Sequence, residues 1–216
     1  MWLGLDRFLV ADEVLPDREK TFNEVLEDSR RSSEFIAPFD FCEVFGDLTE
    51  CNYAEDLDLS ATHFKTLKGM PHIVSGCLII AFCPKLTSLE GISSTAYGDI
   101  CICDNERLNS LEFFPETMSA NCIVDIQNMN LKSLDGLDPE ILRDCSEIYL
   151  YNLGDVSVGE IMIKCILYRE KNGSFEGVNA DYGTEVLESL YRACQTLDKS
   201  SKNLIETLNK VAELVD

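Results

Sequence analysis

Cys101 and Cys103, one residue apart in the stretch Ile100-Cys101-Ile102-Cys103, are the side chains in this sequence best placed to do chemistry. In an extended strand, residues two apart share a face, so the thiols would stand side by side and could hold a metal ion. A zinc site takes four ligands, however, and this pair alone lacks the others; no C-x-x-C occurs anywhere in the chain. Metal binding there is expected to be weak and adventitious. His63 and His72 are the only histidines, one beside an apolar anchor and one just after Pro71, and both read as turn residues rather than bases. Glycines recur at intervals instead of gathering in a phosphate-binding loop, and no G-x-S-x-G elbow is present. The glycine-aspartate nonapeptide of calcium-binding coils is missing too. Carboxylates are too numerous to single out an acid and a base. No catalytic residue, cofactor or dedicated metal site is expected.

What must position these side chains is a repeat. L-I-I-A-F-C-P-K-L-T-S-L-E-G (Leu78 to Gly91) and I-C-I-C-D-N-E-R-L-N-S-L-E (Ile100 to Glu112) fit one template: two apolar residues two apart, Cys83 or Asn105 three later, then Leu86 or Leu108, and a closing Leu89 or Leu111. Leu57 to Leu67, Val124 to Leu134 and Ile148 to Val158 align as variants, whereas Phe39 to Val44 is too divergent to serve as an opening turn. The closing leucines Leu67, Leu89, Leu111 and Leu134 keep a near-constant interval, which means a solenoid. Leu78 and Ile80, or Ile100 and Ile102, then point inward. Placing Ile123 and Asp125 inward instead would bury a carboxylate, so Val124 is the inward residue. Cys83 and Asn105 fall where the turning backbone needs a partner. Gly69, Gly91 and Gly136 sit two after a closing leucine, where a positive φ suits glycine. A second glycine, Gly76 or Gly98, precedes the next strand by two.

These residues resemble leucine-rich repeats, in particular the short L-T-S-L-E-G type of bacterial and bacteriophage proteins. The resemblance implies an α/β solenoid, a coil of short parallel strands, here with N-terminal and C-terminal helical caps. The organisation expected is a helical cap over residues 1–38, repeats over 39–158 and a C-terminal helical cap over 159–216.

The other cysteines mostly occupy repeat positions that are apolar or small elsewhere, so the thiols read as reduced packing residues rather than a disulfide framework. With 39 acidic against 18 basic side chains the formal charge is −21, which repels phosphate backbones and excludes direct nucleic-acid binding. No apolar run reaches the length of a membrane span and Met1-Trp2-Leu3-Gly4 opens no signal sequence, so a cytoplasmic protein with no membrane partner is expected.

Towards the ends, Asp17 to Ser32 reads as a helix behind Pro16, closing the open core with Phe22, Val25 and Leu26 and showing its carboxylates outward. The acidic run Glu50 to Asp58 includes Glu50, Glu55 and Asp56 and reads as a solvated face or an anionic rim. Gly159 to Gly173 leans helical, and Asn172 to Gly183 is the best linker. From Leu187 and Leu190 through Cys194 to Val215, apolar residues alternate at spacings of three and four, a seam that either packs on the solenoid or pairs two chains; Ser200-Ser201 could fold it into a hairpin.

Along the strands, the outward residues would form a ladder: Asp58 and Ser60, Ile79 and Ala81, Cys101 and Cys103, Asp125 and Gln127, Tyr149 and Tyr151. Acids and tyrosines around a small apolar centre resemble an interface more than a solvated surface. The function expected is therefore non-enzymatic: an acidic scaffold that binds a protein with a basic surface through Asp58, Ile79, Cys101, Cys103, Asp125, Gln127, Tyr149 and Tyr151, with Glu50, Glu55 and Asp56 on its rim. The resemblance implies a phage or bacterial setting, such as an inhibitor that fills the nucleic-acid groove of a host or defence protein. The alternative is an assembly protein that oligomerises through residues 184–216.

Overall fold

A computed structural model describes residues 8–9, 20–31 and 39–195. In chain order its elements are β1 (Phe8–Leu9), α1 (Phe22–Arg31), β2 (Phe39–Asp40), α2 (Phe41–Phe45), β3 (Asn52–Tyr53), β4 (Leu57–Asp58), β5 (Phe64–Thr66), β6 (Ile73–Val74) and β7 (Leu78–Ala81). They continue as β8 (Thr95–Ala96), β9 (Ile100–Cys103), β10 (Thr117–Met118), β11 (Ile123–Gln127), α3 (Pro139–Arg143), β12 (Glu147–Tyr151), α4 (Val158–Asn172), β13 (Val178–Ala180) and α5 (Thr184–Gln195).

Alternating branched residues make the longer strands, and parallel pairing stacks them into a six-stranded sheet in the order β13-β12-β11-β9-β7-β4. Register places Leu78 beside Ile100, Ile100 beside Val124, and Val124 beside Ile148. These four are fully buried, as are Ile80, Ile102, Ile126 and Leu150 one pleat on. Val124 and Ile126 thus face the core and Asp125 faces out, as the cost of burying a carboxylate requires. The closing leucines Leu67, Leu89, Leu111 and Leu134 are also fully buried. The chain is a parallel-stranded β-solenoid.

Its return legs differ from the α/β expectation. They carry two-residue strands that form a second parallel sheet, ordered β1-β3-β6-β8-β10. The reason is length. Only 11 positions separate Leu67 from Leu78 and Leu89 from Ile100, and the glycines Gly69, Gly76, Gly91 and Gly98 interrupt both stretches, which leaves no room for a helix. Where the interval grows to 14, from Leu134 to Ile148, the short helix α3 replaces the two-residue strand, capped by Asp138 accepting from the Glu140 amide at 2.9 Å.

The turns are held from coil to coil. Asn105 is fully buried; its amide nitrogen donates to the Ile80 carbonyl at 2.8 Å and its oxygen accepts from the Cys83 amide at 2.9 Å. The Cys83 thiol in turn donates to the Leu59 carbonyl at 3.3 Å. Gly98 lies so close to the preceding coil that an added Cβ would sit 2.5 Å from the Cys77 amide nitrogen. A residue with positive φ follows the strand in each coil, namely Ala61, Phe82, Asp104, Asn128 and Asn152. The Ala61, Phe82, Asp104 and Asn128 amides donate to carbonyls of the next coil, and Asn152 donates to the Asp181 carboxylate at 2.8 Å.

At the N-terminal end Thr21 and Glu24 form a capping box, so α1 begins at Phe22 rather than at Asp17; residues 17–19 lie outside the described segments. Phe22 stacks on Phe45 with ring centroids 4.4 Å apart, and Phe41 lies 4.5 Å from Phe45. Phe39 to Val44, set aside as an opening turn, is β2 running into α2. β2 pairs with β5. Arg30 reaches from α1 to β4, donating to the Ser60 carbonyl at 2.9 Å and the Asp58 carbonyl at 2.6 Å.

At the C-terminal end α4 starts at the Ser157–Glu160 capping box and ends at Gly173 with φ 81°. The stretch expected to be a linker, 172–183, instead carries β13, the sixth strand, whose Val178 pairs with Ile148. Strand formation there follows from Phe175, Val178 and Ala180 being buried despite the flanking glycines. In α5, Leu187 and Leu190 are buried in the chain's own core; the seam residues from Leu197 onward, and the Ser200-Ser201 pair, lie outside the described residues. Among the described residues no helix is long and apolar enough to cross a membrane.

Two substitutions test the stacking. Asn105→Ala strips a buried amide and a carbonyl of their partner and is expected to cost about 2–4 kcal/mol in urea unfolding. Gly98→Ala pushes a methyl into backbone and is expected to cost about 3 kcal/mol or to prevent folding. A loss under about 0.5 kcal/mol for either would show that the coils are not in this register.

Candidate functional site

The outward ladder is continuous. Register aligns Asp58 with Ile79, Ile79 with Cys101, Cys101 with Asp125, Asp125 with Tyr149 and Tyr149 with Asn179. One pleat on, Ala81, Cys103, Gln127 and Tyr151 align in the same way. Six strands give a face about 24 Å wide, five spacings of roughly 4.8 Å. Asp58 is exposed, and Ile79, Cys101, Asp125, Gln127, Tyr149 and Tyr151 are half-buried; Cys103 is 7% exposed. Eight of the residues read from the sequence as an interface therefore share one surface.

Glu50, Glu55 and Asp56 do not belong to that ladder. The run Glu50 to Asp58 is not a simple solvated stretch, because Asn52 and Tyr53 within it are buried in the second sheet as β3 and Cys51 just before them is buried too. Glu50 precedes β3, while Glu55 and Asp56 lie in its link to β4, all three exposed. Asp56 has a structural task, accepting from the Cys77 amide of the next coil at 2.7 Å. Asp99 repeats it for the Ile123 amide, also at 2.7 Å. Asp58 accepts from the Ser60 amide and pairs with Arg30 at 3.5 Å, so the face has one compensated acid at its first strand.

At the centre, the Cys101 and Cys103 sulfurs are 3.3 Å apart. The neighbouring strand brings the Asp125 Oδ2 to 3.9 Å from Cys101 Sγ, and Gln127 Nε2 donates to Asp125 Oδ1 at 2.6 Å. The thiol pair thus has the further ligand that its own strand lacks. Asp125 is 24 residues from Cys101 in sequence and becomes its neighbour only through the coil register. The contact between the two thiols holds Cys101 below the ordinary thiol range, whereas the same contact and burial push Cys103 up. Tyr149 donates to the Glu147 carboxylate, and that bond holds its phenol above the usual value.

Both histidines stand in connections, as their positions predict. His63 is buried beside β5 with its imidazole pKa lowered, by burial first and then by Lys85, while His72 is exposed with the Ser94 hydroxyl 3.2 Å from Nδ1. The sequence reading missed Phe82, which is 62% exposed directly after β7 at the rim of the face, and Glu147 on β12. A phenylalanine at the post-strand position held elsewhere by Ala61, Asp104, Asn128 and Asn152 is the signal that could have marked it.

The nine thiols whose side chains are described are all free. Their reactivity should follow burial and charge, because the thiolate is the nucleophile. Cys145 and Cys165 are buried and pushed up to about 12 by that burial. Under brief iodoacetamide treatment at neutral pH, peptide mass spectrometry should find Cys101 alkylated well before Cys145 and Cys165; equal rates would contradict the arrangement. The chain matches no family model, no curated protein and no solved structure.

Proposed function

We propose that this chain is a non-enzymatic interaction protein whose six-stranded face docks a protein with a basic surface. One observation carries the reading: the two outward rows contain Asp58, Asp125, Tyr149 and Tyr151 and not a single lysine or arginine. A solvated sheet face in a soluble protein is ordinarily studded with both signs of charge, while an interface is enriched in tyrosine and depleted in lysine. The face is also wide and shallow, which suits a macromolecular surface better than a small substrate. The short leucine-rich-repeat resemblance, the helices at both ends read as caps, and the charge of −21 extend the proposal to a phage or bacterial inhibitor that competes for a nucleic-acid groove. The assembly alternative is the weaker one, because Leu187 and Leu190 of its seam are occupied by the chain's own core.

Capture from cell extract with wild type and with Tyr149→Ala/Tyr151→Ala, read by mass spectrometry, tests this. The face variant should lose one specific protein while its circular dichroism is unchanged. Association of that protein should slow by about 10-fold or more between about 50 and about 500 mM salt. Loss only on neutralising Glu50, Glu55, Asp56 and Asp58 would move the site to the rim, and a salt-independent rate would end the groove-competition idea. If a chain lacking 184–216 kept its circular dichroism yet alone lost capture, the assembly reading would replace it.

A further inference from the structure

The thiol pair and the carboxylate at the centre of the face form a constellation that protein docking does not require. We propose that Cys101, Cys103 and Asp125 bind a thiophilic divalent cation of the Zn²⁺ class, with a fourth position open to solvent.

Among the described residues this is the one group of cysteine, histidine and acidic side chains whose donor atoms all lie within 4.8 Å of one another. Tetrahedral zinc with sulfurs at roughly 2.3 Å and an oxygen at roughly 2.0 Å requires about 3.8 Å between sulfurs and about 3.5 Å from sulfur to oxygen. The separations here are 3.3 Å between Sγ atoms and 3.9 Å from Cys101 Sγ to Asp125 Oδ2, within about half an ångström of those edges. The third edge, from Cys103 Sγ to the Asp125 carboxylate, lies within 4.8 Å.

The ligands also have the support that metal sites show. Cys101 and Cys103 stand two apart on β9, and Asp125 stands beside Cys101 on β11 in a paired register, so backbone hydrogen bonding fixes all three Cα positions. Gln127, aligned with Cys103, grips Asp125 Oδ1 and leaves Oδ2 turned towards Cys101. This is an outer-shell contact of the kind that orients a ligating carboxylate. Two sulfur donors select a borderline-soft ion over Mg²⁺ or Ca²⁺, which prefer oxygen alone. Asp58 and Asp104, close enough to act on Cys101 electrostatically, add negative potential for an approaching cation. Cys101 and Asp125 are half-buried and Cys103 is buried, so the approach path and the corner for water or a donor from a docked molecule lie on the side of Cys101 and Asp125. Cation binding here stands whether or not the face docks a protein.

The test is titration of the full-length chain, reduced with a phosphine, using Cd²⁺ as an optical probe and Zn²⁺ in competition. Wild type should take up one equivalent with thiolate-to-metal charge-transfer absorption, and Zn²⁺ should displace it. Cys101→Ser/Cys103→Ser should abolish that equivalent, while Cys77→Ser should retain it. Gln127→Ala should weaken it about 10-fold and Asp125→Asn more. Because serine variants could misfold, a second measurement uses wild type alone: one equivalent of Zn²⁺ should protect the half-buried Cys101, but not Cys77, from iodoacetamide. Absence of a stoichiometric site in wild type, its survival in the double serine variant, or alkylation of Cys101 at the same rate with and without Zn²⁺ would each overturn the proposal.

Discussion

Each coil of this chain must hydrogen-bond to the next at the spacing of a parallel β-ladder, and everything else follows from that distance. At roughly 4.8 Å, whatever occupies one position in a coil touches what occupies the same position in the next. Branched residues stack on branched residues in the core, as Leu78, Ile100, Val124 and Ile148 do. Backbone meets backbone where no side chain fits, and Gly98 lies on Gly76 for that reason. Where the turn leaves carbonyls facing inward, a buried Asn105 or Cys83 reaches one coil back to donate to them. The same constraint builds the outward face, since it turns residues 21 to 30 apart in sequence into immediate neighbours.

The parts of the fold legible in the sequence are those repeated in both type and position. The inward pairs, the closing leucines, Gly69, Gly91 and Gly136, and the Asn105 clamp each leave a side-chain signature. The second sheet left none, because Asn52–Tyr53, Ile73–Val74, Thr95–Ala96 and Thr117–Met118 are two residues long and share only one type, the threonine at 95 and 117. A strand that short is made by its neighbours rather than by its own propensity. The post-strand turn was hidden for a related reason: Ala61, Phe82, Asp104, Asn128 and Asn152 adopt one backbone conformation with four different side chains. At the face, the rows of outward residues could be read because a period of two combines with a period of about 22. The carboxylate beside Cys101 could not be assigned from the local C-x-C motif, since it arrives from the following coil.

Part of the chain's acidity is structural. Asp56, Asp99 and Asp181 accept backbone amides from other coils, Asp138 and Glu160 cap helices, and Asp40 accepts from the Thr66 hydroxyl at 2.7 Å. A carboxylate in such a position accepts a charge-assisted bond from an N–H or O–H at a turn or helix start. The anionic character of the face is thus separable from that of the frame: Asp58 and Asp125 stand in the outward row of the strands, while Asp56 and Asp99 hold coils together.

Arg30 settles a problem that any open-ended stack of coils faces. The terminal strand β4 presents the Asp58 and Ser60 carbonyls away from its partner β7, a template on which a strand from another molecule could add and begin a fibre. Arg30 donates to both carbonyls with one guanidinium, and its charge faces any incoming chain. The helix that covers the aromatic cluster thereby also occupies the β4 edge of the ladder, where its guanidinium takes the hydrogen bonds an added strand would need.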